Sequence, residues 1–139
     1  FSHTDYYLIN EENKIIGKMN VRKKLDYNTL LKSCDIALSS VILKRSILKK
    51  SLGFGNTKTK EDFFLWLKLS KISKIYGINK TLLNWRKTEN SLSSNITQKF
   101  RDAFKVYKKI ENKNFLITVF YVFRLSLYFV FKKFKQKIF

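Results

Sequence analysis

The chain has 139 residues, of which 45% are hydrophobic and 16% aromatic, and carries 29 Lys and Arg against 10 Asp and Glu for a formal net charge of +19. That length bounds it at about one domain, and the apolar content excludes a disordered chain. A single cysteine (Cys34) excludes an internal disulfide and a single histidine (His3) a histidine-rich metal site, while four glycines without G-x-G-x-x-G or G-K-[ST] spacing exclude a phosphate-cradling loop within these residues.

The positive excess favours a polyanionic neighbour, whether nucleic acid, an anionic membrane face or a phosphorylated small molecule. Scattered lysines are also what an AT-rich coding sequence spells, so the clustered ones near the C-terminus weigh more. The lone thiol fits a reducing cytosolic compartment. His3, so near the terminus, is expected to be solvated. The chain begins with Phe1 rather than Met and shows no secretory signal, which reads as a piece of a longer protein.

Tyr6 to Ile9, a polar turn over 10–13 and Lys14 to Gly17 predict a β-hairpin. Asp26 is placed to N-cap a short helix through Leu30 and Leu31. The apolar run Ile36 to Leu43 predicts a buried strand of an α/β sheet, with Ser39 and Ser40 in its middle. A helical turn over 44–48 and a glycine loop over 53–56 lead to Thr59-Lys60-Glu61-Asp62, a capping-box pattern with Thr59 as N-cap. At 100° per residue Asp62 shares a face with Leu65, Trp66, Leu69, Ile72 and Ser73, while Phe63, Phe64 and Leu67 cover the other side. That helix should sit deep, and the free N–H groups of its first turn favour an anion there. Ile75 to Ile78 and Leu82 to Trp85 predict two short strands around a turn at Asn79-Lys80, with Arg86 closing the second.

From Asn95 the spacing of Phe100, Ala103, Phe104, Tyr107 and Ile110 predicts a helix with basic residues elsewhere on its wheel. Phe115 to Phe134 follows, apolar and aromatic but interrupted by Arg124 and flanked by Lys113, Lys132, Lys133, Lys135 and Lys137. A charge at mid-bilayer is costly, so an interfacial helix on an anionic leaflet through 113–137 is expected ahead of a membrane span or a helix folded back on the domain. The predicted division is an α/β part over 1–94 and a basic helical tail over 95–139.

One constellation carries chemistry: Glu61 and Asp62, with Trp85, Arg86 and the hydroxyls of Ser91, Ser93 and Ser94 downstream. A carboxylate at a helix start beside a sugar-sized pocket can act as a general base, and Arg86 can bind a phosphate or hold the carboxylate. On spacing alone the competing reading is a capping box with a structural Arg–carboxylate pair.

Gly53-x-Gly55 followed by Glu61-Asp62-Phe63-Phe64-Leu65-Trp66-Leu67-Lys68-Leu69 resembles the ED-x-x-LWL-[RK]-L signature of family 2 glycosyltransferases. Leu82 to Asn95, LLNWRKTENSLSSN, resembles their L-x-YR-x-x-x-NSLSSN segment, and Ser40 to Arg45 is similar to the strand before it. The resemblance covers most of residues 1–95. It implies the acceptor-side half of an inverting GT-A domain, with Asp62 as general base and Glu61 orienting the acceptor or supporting the base. Trp85, Arg86, Ser91 and Ser93 would bind substrate. A nucleotide-sugar donor and a saccharide or lipid-linked acceptor are implied with it, and a divalent cation, Mg or Mn, only with the missing upstream half.

Two departures stand out. No D-x-D cation motif is present, which the family carries upstream, and Lys87-Thr88 stands where many relatives have a histidine. The resemblance points to bacterial lipopolysaccharide or capsule synthesis at the cytoplasmic face of the inner membrane. The alternatives are a nucleic-acid-binding module, disfavoured because the densest basic patch flanks the most apolar segment, and a non-catalytic membrane-peripheral protein.

Overall fold

The computed structural model describes residues 1–50, 53–88 and 95–136. It is a mixed α/β structure built on one strand. β1 (Ser2–Ile9) is bordered on one side by β5 (Ile75–Arg86) in parallel and on the other by antiparallel partners, β2 (Ile15–Met19) along its second half and β4 (Val41–Ile42) at Ser2 and His3. β3 (Lys24–Leu25) closes the far edge against β5, giving the order β2-β1-β5-β3.

The predicted hairpin is present. Asn13 turns it in the left-handed region (φ 64°), which asparagine tolerates, and the Asn10 side chain accepts from Lys14 N at 2.8 Å. Asp26 caps α1 (Tyr27–Leu30) as expected, accepting from Thr29 N at 2.7 Å. His3 is not solvated: it lies fully buried in β1, because strands run along both sides of that end of β1. Burial holds its pKa below the ordinary imidazole value, against the opposing pull of Asp35 and Asp5.

Two strand expectations are corrected. Ile36 to Leu43 is not one buried strand. Leu38–Ser40 forms a 3₁₀ turn, and only Val41–Ile42 pairs in the sheet. Ser40 Oγ donates to Ala37 O at 2.7 Å, a local bond that competes with strand pairing, and Leu38 and Ile42 are exposed. At Asn79-Lys80 there is no turn. β5 runs through as one strand, and register shifts against Thr4, Asp5 and Tyr6 absorb the extra residues as bulges.

After α2 (Arg45–Lys50), α3 (Glu61–Ile72) forms the hydrophobic centre. Phe63, Phe64, Leu65, Trp66, Leu67 and Leu69 are all buried, so the helix is covered nearly all round as its sequence predicts. α4 (Ile96–Glu111) and α5 (Phe115–Gln136) join the same core through Ala103, Val106, Tyr107, Val122 and Leu125. Asn95 caps α4 by accepting from Gln98 N at 2.9 Å, and Asn112, left-handed at φ 45°, ends it.

Candidate active site

Glu61 and Asp62 occupy the first turn of α3, and the loop from Gly53 to Lys60 folds over them. Gly53 is left-handed (φ 75°). At Gly55 a Cβ would stand 2.7 Å from Cγ of the buried Phe64 ring, so only glycine lets the loop lie this close to the helix. This is a physical reason for the glycine pair before the acids. The Gly55 N–H donates to Glu61 O at 3.5 Å.

The capping box is not formed. Lys60 is the N-cap residue and contributes no side-chain bond, while Thr59 is held elsewhere: its N and its Oγ1 donate to Asp102 Oδ2 of α4 at 3.0 and 2.9 Å. Gln98 Nε2 donates to the same oxygen at 3.0 Å, and Asp102 is fully buried. Burial by itself would raise the Asp102 carboxyl. The bonds from Gln98 and Thr59 outweigh it and hold the group below the usual carboxylate range. Asp102 thus ties the loop leading into the two acids to α4. Its sequence signal was faint, an acid midway along a predominantly basic helix.

Asp62, freed from a capping-box role, accepts from the neighbouring Phe63 N at 2.7 Å. Burial raises its pKa above the ordinary aspartate value, and this hydrogen bond and Lys60 offset only part of the rise. Glu61 Oε2 and, in the adjacent loop, Thr57 Oγ1 are buried without a hydrogen-bond partner. A cleft of about 420 Å³ opens beside the loop, lined by Asn56, Thr57 and Phe64 and by Lys105, Lys108 and Lys109 of α4. The two acids therefore offer a carboxylate with heightened proton affinity and a second carboxylate with an open acceptor, while the lysine-lined cleft lies beside the loop and is not lined by either acid.

The downstream half of the constellation is arranged differently. Arg86 does not hold the carboxylates: no ion pair joins it to Glu61 or Asp62 among the described residues. Its Nη1 donates to Asn10 O and Glu11 O at 3.0 and 3.2 Å, and Nη2 to Asn13 Oδ1 at 2.6 Å. The cause is register, since Arg86 stands opposite Ile9, where β1 enters its turn. Trp85 is 37% exposed, its ring open to solvent. Ser91, Ser93 and Ser94 lie outside the described residues. Among the described residues no three His, Cys, Asp or Glu side chains gather as metal ligands, and Glu61 and Asp62 alone do not make a divalent-cation site.

The chain is 38% identical over 98 residues to WfgD of Escherichia coli, a UDP-Glc:alpha-D-GlcNAc-diphosphoundecaprenol beta-1,3-glucosyltransferase, over 68% of this chain and 37% of that protein. It is 30% identical over 118 residues to the putative teichuronic acid biosynthesis glycosyltransferase TuaG of Bacillus subtilis, over 84% of this chain and 46% of that one. The chain is a glycosyltransferase homologue. A second Escherichia coli glucosyltransferase carrying the same description, WfaP, is 35% identical over 106 residues, 76% of this chain and 40% of that protein. These relatives agree with the family 2-like resemblance of the motifs, and the name of TuaG places that protein in teichuronic acid biosynthesis. The chain spans less than half the length of each. No family model and no solved structure matches it.

Proposed function

We propose that this chain is the acceptor-side portion of an inverting GT-A glycosyltransferase, which moves a sugar from a nucleotide-sugar donor to a saccharide or lipid-linked acceptor in bacterial surface-glycan synthesis. The observation that carries the mechanism is Asp62: a carboxylate in the first turn of a core helix, largely buried and with its proton affinity raised. A group so tuned takes the proton of an acceptor hydroxyl as that oxygen attacks the anomeric carbon. The new C–O bond forms on one face while the bond to the nucleoside diphosphate breaks on the other, and the anomeric configuration inverts.

Glu61 Oε2, buried and unpartnered, is the natural acceptor for a second hydroxyl of the incoming sugar, so Glu61 orients while Asp62 deprotonates. Trp85 offers an exposed ring for a sugar face. Arg86 acts through the β1–β2 turn that it clamps, with phosphate contact requiring those bonds to exchange. The lysine-lined cleft suits an anionic acceptor, in keeping with the diphosphoundecaprenol-linked substrates named for two of the relatives. A divalent cation finds no ligand set among the described residues, and its ligands would come from an upstream half of the catalytic domain. The location that fits such an acceptor is the cytoplasmic face of the inner membrane.

The test is to express the protein with any residues that precede Phe1 in its reading frame and supply bacterial membranes with a panel of radiolabelled nucleotide-sugars. Label passing into the lipid extract from one donor is the expected result. No transfer from any donor would overturn the assignment.

A further inference from the structure

α5 carries one arginine amid its apolar run, and the fold turns that charge inward. Arg124 lies 4.6 Å from the Tyr121 ring and 5.7 Å from Phe120, and its Nη2 donates to Leu31 O at 3.4 Å. The Tyr107 hydroxyl donates to the same carbonyl at 2.9 Å. Thr118, Val122 and Leu125 face the core beside it. What remains outside is apolar: Phe115, Leu116, Phe120, Phe123 and Phe131 are each more than half exposed. Their patch continues into a groove of about 610 Å³ between α4 and α5, walled by Phe100, Phe104, Val119 and Phe123 and rimmed by Arg101 and Lys105.

An aromatic surface of this kind marks a binding site. Charge selects the occupant. From 113 to 139 the chain has no acid, lysines stand at both ends of the apolar run, and Asp102 of α4 is buried and bonded to Thr59. Among the described residues no helix is long and apolar enough to cross a membrane.

We propose that the α4–α5 hairpin is a bilayer-docking surface: α5 lies in the plane of an anionic phospholipid leaflet with its aromatic face among the acyl chains, Arg101 and Lys105 meet lipid phosphates, and Arg124 keeps the helix's own charge on the protein side. Interfacial helices gain from both buried apolar area and attraction to acidic headgroups. The inference stands apart from the catalytic reading, since its test needs no turnover.

The 139-residue chain is floated with phosphatidylcholine vesicles made with and without phosphatidylglycerol. Flotation should require phosphatidylglycerol and weaken with salt. Phe120→Asp with Phe123→Asp should lower it by about tenfold or more, since one buried phenylalanine is worth at least that factor. Arg101→Glu should weaken it with an unchanged circular dichroism spectrum. Tryptophans placed singly at Leu116 and Phe131, read against the native Trp66 and Trp85, should be quenched equally by brominated lipid, because an in-plane helix holds both at one depth. Equal flotation on neutral vesicles, unequal depths, or a dimer in solution split by Phe123→Asp would each overturn the proposal.

Discussion

Asp62, Asp102 and His3 each have a folded pKa displaced from the ordinary value, so each makes stability depend on pH. Asp62 has a raised folded pKa, so the unfolded chain ionises first, and its contribution to stability falls as pH rises from the ordinary aspartate value through the folded one. Asp102 has a lowered pKa and works oppositely, stabilising above its unfolded value and losing that contribution as pH falls through the folded one. His3, lowered by burial, is destabilising wherever the unfolded imidazole charges. Replacing it by leucine should flatten the stability slope between about pH 5 and 7 in chemical denaturation, and an unaltered slope would exclude His3 as its source. Asp102→Ala strips Thr59 N, Thr59 Oγ1 and Gln98 Nε2 of their acceptor, with an expected loss of about 1–3 kcal/mol in denaturant melts. At this scale the two acids were legible because they open an apolar helix. The Thr59–Asp102 tether was not, because its partners stand 43 residues apart and the local capping pattern offered Thr59 a nearer role.

Helices with strong periodicity and a side-chain cap were readable element by element. α1 begins after the cap expected of it, Asp26, and α4 begins where its periodicity starts, with Asn95 as a cap that was not singled out. The failures are strands whose fate depends on distant pairing. Ile36 to Leu43 has a strand's composition, yet β1 accepts it only at Ser2 and His3, and Ser40 bonds locally instead. Asn79-Lys80 has turn residues, yet β1 runs alongside and holds β5 extended through bulges. For α5 the helix folded back on the domain was the last of three expectations. One face does pack there, through Val122 and Leu125, while the other stays open. The loop over α3 gives a direct test of packing: Gly55→Ala drives a methyl into the buried Phe64 ring and should cost about 1–3 kcal/mol by denaturant titration. A neutral substitution there would mean that the loop does not lie on the helix.

As a whole the molecule joins a strand-centred sheet, a buried helix that begins with two acids, and a helical hairpin that both completes the core and bears the exposed aromatic face. The mixed α/β character was legible from alternating strand and helix signals, but the mixed-direction strand order was not, because pairing partners are set by tertiary contacts. Since the chain spans less than half of its relatives, catalysis is best measured with any upstream residues of the reading frame present. The decisive comparison is the rate of sugar transfer by the parent protein, Asp62→Asn and Glu61→Gln, each first shown to melt as cooperatively as the parent. Asparagine keeps the shape of Asp62 and cannot take a proton, so transfer should fall by about 10²–10⁴-fold, with a smaller loss for Glu61→Gln. Transfer by Asp62→Asn at the parental rate would contradict the account, leaving Asp62 a structural acid and the base elsewhere.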